Sequence, residues 1–154
     1  MTFAVVRTQL AILLKSVTGI GKVHEFIRHS RFLDEYLAKN KNVTKINVCE
    51  ISRIAFEQEL FGVGNLVSDG LFHDTHTTII RLYQTVNDEL ETEIAFQNLI
   101  DAIVVKIRQN NTLNGTVILP KQLQAPTIGH ETFGGVLVHF AEMTFEAIER
   151  VGDS

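Results

Sequence analysis

The sequence predicts an α+β domain in which an antiparallel sheet of about four strands carries two main helices on one face. Two segments, Thr2 to Val17 and Leu90 to about Gln109, repeat their apolar residues every three or four positions, the period of a helix with one buried side. Three others, Thr44 to Phe56, Thr77 to Val86 and Gly135 to Ala147, are rich in Val, Ile, Thr, Tyr and Phe and alternate instead. The order helix, strands, helix, strands lacks the regular alternation that builds a parallel sheet. At 154 residues the chain fits one domain of roughly 150 residues, taken as residues 1–154.

In the opening helix Phe3, Val6, Leu10, Leu13, Leu14 and Val17 form one stripe. Gly19 and Gly21 end it, because glycine accepts the positive φ of a helix terminus. Lys22 to His29 reads either as a short strand over Val23 to Ile27 or as the start of a second helix. Ser30 to Lys39 suits a short helix capped by Ser30, with Leu33, Tyr36 and Leu37 on its apolar side. Thr44 to Phe56 reads as a long strand whose facing changes once, through a bulge near Cys49 to Ile51. Glu57 to Thr75 mixes Gly62, Gly64, Asn65, Asp69 and Gly70 with apolar residues and reads as a loop or hairpin tip.

Asn87-Asp88-Glu89 is expected to cap the second helix, with Leu90, Ile94, Leu99, Ile100, Ile103, Val104 and Ile107 facing the core. Its acidic residues cluster in the first turns and Lys106 and Arg108 lie in the last, as the helix dipole favours. Thr116 to Leu119 is expected as a short strand ended by Pro120, and Lys121 to Gly134 as a second loop. In the last strand Leu137, His139, Ala141, Met143 and Phe145 share one face, and Val138, Phe140, Glu142 and Thr144 the other. Two helices cannot cover both sides of such a sheet, so its second face is expected to need a partner.

A hydrophobic fraction of 45% with 21% charged residues is that of a globular chain with a buried core. The net charge of −4 disfavours a protein whose main business is binding phosphates. The longest apolar run, Leu10 to Leu14, is far short of the ~20 residues that span a bilayer, and the amino terminus lacks signal-peptide order. Cytosolic synthesis and no membrane contact are the expectation. Cys49, the single cysteine, excludes an internal disulfide and a thiolate zinc cluster.

Motifs with chemistry are few. Ser16 to Lys22 fails as a phosphate-binding loop, because Ser16 stands at the first glycine position, Val23 replaces the hydroxyl residue and a helix precedes it. The run Leu14 to Ile27 resembles a helix-hairpin-helix DNA-binding module through its Thr18-Gly-Ile-Gly-Lys22 turn, without the flanking cations. His73-Asp-Thr-His76 has two imidazoles beside a carboxylate, but no second cluster completes a metal site, and His130 and His139 stand apart. The glutamates show no acid/base spacing and no Gly-x-Ser-x-Gly occurs. No catalytic, cofactor-binding or metal-binding residue is predicted, and no enzyme.

Three stretches together resemble a known family. They are the opening helix with Ser16-Val-Thr-Gly-Ile-Gly-Lys-Val-His24, the segment Lys45-Ile-Asn-Val-Cys-Glu-Ile-Ser-Arg-Ile-Ala-Phe56, and Phe133-Gly-Gly-Val-Leu-Val-His-Phe-Ala-Glu-Met-Thr-Phe145. They and the element order are similar to the tail terminator proteins of long-tailed phages and prophages. That resemblance implies a homohexameric ring at the head-proximal end of the tail tube, with the tail tube protein and the head-tail connector protein as partners. It implies assembly in the bacterial host cytoplasm, a place in the virion, and DNA only as a passing genome. Another neck or tail component, such as a head completion or tube protein, is the nearest alternative.

Apolar side chains among loop glycines normally wait for a partner surface. Phe61, Leu66, Leu71 and Phe72 are therefore the expected loop that docks on the tube or a neighbouring subunit. Leu137, His139 and Met143 are the expected sheet surface covered by the adjacent subunit.

Overall fold

The computed structural model describes residues 3–26, 47–61, 71–87, 91–115, 117, 120–133 and 136–152. Their order is α1 (Phe3–Lys15), β1 (Lys22–His24), β2 (Asn47–Phe61), β3 (Leu71–Thr85), α2 (Thr92–Gln109), β4 (Pro120–Phe133) and β5 (Val136–Gly152). The class is α+β with two helices, as expected. The sheet is larger and mixed: among the described residues it has five strands in the order β1-β2-β3-β5-β4, with β1 parallel to β2 and the other pairs antiparallel. Ser30 to Lys39 and the tip 62–70, including Leu66, lie outside the described residues.

The α1 stripe is buried through Phe3, Val6, Leu10 and Leu14, and Val17 continues it past the helix end. Backbone bonds from Ser16 to Leu13 and from Val17 to Leu14 close the last turn. Gly19, at φ 89°, then turns the chain in the left-handed region that only glycine enters cheaply. Gly21 has a different reason to be glycine: a Cβ there would collide with the backbone carbonyl of Asn47. That close approach lets β1 lie beside β2, Val23 opposite Cys49. A strand, not a second helix, follows the Gly-Ile-Gly turn.

Helix α2 buries Phe96, Leu99, Ile100, Ile103 and Ile107, spaced three and four apart. Ile94, expected inside, is exposed, and Phe96 takes the inward position. Asp88 and Glu89 of the expected cap, and Leu90 of the expected apolar side, lie outside the described residues. Asn87 accepts at its backbone carbonyl from the Thr92 amide (3.3 Å), and its own amide donates to Thr92 Oγ1 (2.8 Å). Helix and sheet meet in one cluster that includes Leu10, Leu14, Ile51, Ile80, Leu82, Phe96, Ile103, Met143 and Phe145. Cross-strand neighbours share a face, so Cys49, Leu82 and Ala141, then Ile51, Ile80 and Met143, line up beneath the helices.

The reverse face is not left open at its centre. Ile79, Tyr83, Val138 and Phe140 are buried within the single chain, and the rings of Tyr83 and Phe140 lie 5.2 Å apart. The expectation that this face needs another subunit is therefore corrected at its centre, where these side chains are already buried within the single chain.

Three element boundaries differ from expectation. The facing of β2 does change once, but between Arg53 and Ala55, a few residues later than predicted. The presumed loop flanks belong to strands, since Glu57 pairs with Thr75 and the ladder runs on to Phe61 opposite Leu71. Pro120 begins a strand instead of ending one, and the presumed loop 121–134 is largely β4. At the edge of the sheet among the described residues, and with two register shifts, β4 tolerates Pro120, Pro126 and Gly129 where an inner strand would not.

Candidate functional site

The sheet outruns its helices. From Arg53 to Leu60 every residue of β2 is exposed, and Ile54, Phe56 and Leu60 stand 53%, 52% and 53% open. Strand β1 pairs only with Val48 to Glu50, so among the described residues the rest of β2 is an open sheet edge. Its polar residues Glu57, Gln58 and Glu59 keep this arm wet and blunt it against indiscriminate pairing. A second apolar corner is formed by Ile128 on β4 and Leu137 on β5. Ile128 faces Ala141 and Leu137 faces Thr132, whereas Phe56 lies in line with His76 and Ala147. At about 3.3 Å per residue and 4.8 Å per strand, the two corners are diagonally opposed, roughly 30 Å along the sheet and 14 Å across it.

The register separates the two imidazoles of His73-Asp-Thr-His76. Three positions apart on β3 they point to opposite faces, so they converge on nothing. His76 instead turns under α1 into a polar cleft of about 400 Å³ lined by Phe3, Ala4, Arg7, Arg53, Phe56, Asp74 and Glu149. His76 and Glu149 are both buried, with Nε2 3.6 Å from Oε1. Neither carboxylate oxygen of Glu149 has a hydrogen-bond partner among the described residues, and neither has His76 Nε2.

Arg53 Nη1 lies 3.3 Å from His76 Nδ1. Guanidinium can only donate, so Nδ1 is the acceptor and the neutral ring carries its hydrogen on Nε2, toward Glu149. The Arg53 guanidinium also sits over two aromatic faces, 5.2 Å from the Phe3 ring and 5.4 Å from the Phe56 ring. It therefore ties the first residue of α1 to the β2 arm. Burial holds His76 below the usual histidine range; Glu149 and Asp74 oppose that effect, and Arg53 reinforces it. Nδ1 thus accepts from Arg53 while Nε2 is turned toward Glu149.

The expected interface residues fall in different places. Phe61 and Leu71 form the last pair of the β2–β3 ladder, and Leu66 lies outside the described residues. Phe72 is half-buried opposite Leu60, and Leu137 is exposed. His139 and Met143 are not an open surface, because the chain's own α2 covers that face. His139 stacks on Phe96 (5.3 Å) with Thr92 Oγ1 2.9 Å from its Nε2, and Met143 is fully buried.

Sequence reasoning missed the Arg53, His76 and Glu149 cluster altogether. The three residues are spread over β2, β3 and β5, and only the register brings them together. Among the described residues no group of three or more His, Cys, Asp or Glu side chains could hold a metal ion, and no helix is long and apolar enough to cross a membrane. No family model matches the sequence, and neither does any curated protein.

Proposed function

We propose that the chain is a non-enzymatic structural subunit, a tail terminator that forms a homohexameric ring at the head-proximal end of a phage tail tube. In this role it stops tube polymerisation and offers a surface to the head-tail connector protein. The observation that carries the reading is the pair of unlike apolar corners, Ile54, Phe56 and Leu60 at one end and Ile128 and Leu137 at the other. Two different patches on one subunit make a head-to-tail contact, which closes into a ring or extends into a filament but does not make a two-fold dimer. The α+β class and the family resemblance of the three sequence stretches support the ring over the filament. A net charge of −4 per copy gives the ring an acidic surface past which a genome slides without sticking.

Light scattering on the purified protein tests the assembly. A hexamer has a mass of about 104 kDa, six times the 17.3 kDa chain. A persistent monomer or a two-fold dimer at high concentration refutes the ring. Electron microscopy of assembled particles tests the position: density at the head-proximal tail end supports a terminator, whereas density within the tube or inside the connector assigns another tail or neck component. A helix-hairpin-helix module loses ground because β1 stands where its second helix would begin.

A further inference from the structure

We propose that His76 and Glu149 form a proton-binding site that governs a clamp between α1 and the β2 arm: neutral His76 holds Arg53 over Phe3 and Phe56, and a proton on Nδ1 releases it. The inference concerns contacts within one chain and stands whether or not the ring exists.

The geometry has two halves. On one side, Nδ1 accepts from Arg53 Nη1 at 3.3 Å, an interaction that exists only while that nitrogen keeps its lone pair. On the other, Glu149 is 1% exposed with both oxygens lacking a hydrogen bond among the described residues, and Nε2 stops 3.6 Å short of Oε1. A buried carboxylate in that state is costly, and a cation beside it removes the cost. The proton taken from solvent by Nδ1 makes the ring an imidazolium, whose Nε2–H points at Glu149 Oε1 and draws in to a charge-assisted bond. The same proton removes Arg53's acceptor and sets two cations face to face. Arg53 is solvent-exposed and leaves toward water at little cost.

The groups facing His76 are few and come from every element around it. Arg7 is contributed by α1, Arg53 by β2, Asp74 by its own strand and Glu149 by β5. Arg7 Nε lies 4.0 Å from Glu25, and Asp74 accepts from Gln58 Nε2 at 2.8 Å, so both have other partners. The two that respond are Arg53 and Glu149. Once Arg53 departs, Phe3 and Phe56 lose the guanidinium and keep the His76 ring, 5.5 and 5.4 Å from theirs, so the first turn of α1 is held to the arm by fewer contacts.

Hydrogen exchange of the α1 amides, corrected for intrinsic rates, tests this as pH is lowered from 7.5 to 5 on the intact chain. The expected result is at least a tenfold rise in opening of the first turns of α1, with no such rise in His76→Gln, which cannot take up the proton. Equal rises in both proteins, or none in the wild type, overturn the proposal. Should His76→Gln fail to fold, nitrogen chemical shifts of the wild-type imidazole decide alone. The Nε2–H tautomer at pH 7.5, converting to the doubly protonated ring in step with the opening, is the supporting result; the Nδ1–H tautomer, or opening that runs ahead of ring protonation, refutes it.

Discussion

His76 is kept neutral by a physical conflict: burial and Arg53 disfavour the imidazolium while Glu149 and Asp74 favour it, and burial wins. Its lowered pKa has a consequence for stability. Between the folded value and the ordinary value near 6.5, the unfolded chain binds the proton more readily than the folded one. The stability contributed by neutral His76 is therefore complete above about pH 6.5 and is lost as pH falls through that window. Denaturant midpoints at pH 7.5, 6.5 and 5.5 should fall in that order, with the fall reduced in His76→Gln. In Glu149→Gln the nearest group that favours protonation is gone, so the ring should titrate at still lower pH, which NMR of the imidazole measures. The buried thiol of Cys49 behaves more simply: burial beside Glu50 pushes it up to about 12, leaving it inert in the folded state.

Among the elements, the helices were legible and the sheet edges were not. The period of α1 and of Leu99, Ile100, Ile103 and Ile107 in α2 is written in the chain because each helix has one dry side and one wet side. Strand β4 was hidden by Pro120, Pro126 and Gly129, residues that mark a loop unless one edge of the strand is free of ladder bonds. The outer half of β2 was hidden because both its sides are wet from Arg53 to Leu60, so Glu57, Gln58 and Glu59 carry no alternation. For β5 the alternation was read correctly and its meaning was not. The face of Met143 is closed by the chain's own α2, so Met143→Ala should cost about 2 to 5 kcal/mol of folding stability. Chemical denaturation of the variant checks this, and a selective loss of assembly with unchanged stability would contradict it.

At the scale of the whole molecule, the layers of one chain close on each other but the corners do not. Helices α1 and α2 shield one face and the centre of the other is buried within the chain, while on the sheet Ile54, Phe56 and Leu60 and, far from them, Ile128 and Leu137 stay exposed. Leu60→Asp places a charge on the arm away from the His76 cleft, at a side chain already 53% exposed. Its folding stability should stay within roughly 0.5 kcal/mol of wild type, as exposed substitutions do. If this corner is the head-to-tail contact, the variant's mass by light scattering should drop to that of a single subunit at concentrations where the wild type is assembled. A variant that unfolds, or one that assembles unchanged, removes the arm from the interface.

The sequence by itself determined the α+β class, both main helices, the turn at Gly19 and the alternation of the last strand, because each rests on local periodicity or on one residue's backbone freedom. It could not say which side of the last strand the helices would take, nor that Arg53, His76 and Glu149 would meet, nor that Ile79, Tyr83, Val138 and Phe140 would be covered from within. Those outcomes depend on register, and register is set by pairings between residues many positions apart. A slip of one residue in the β3–β5 ladder would send Glu149 to the opposite face from His76. Only the folded sheet holds that information.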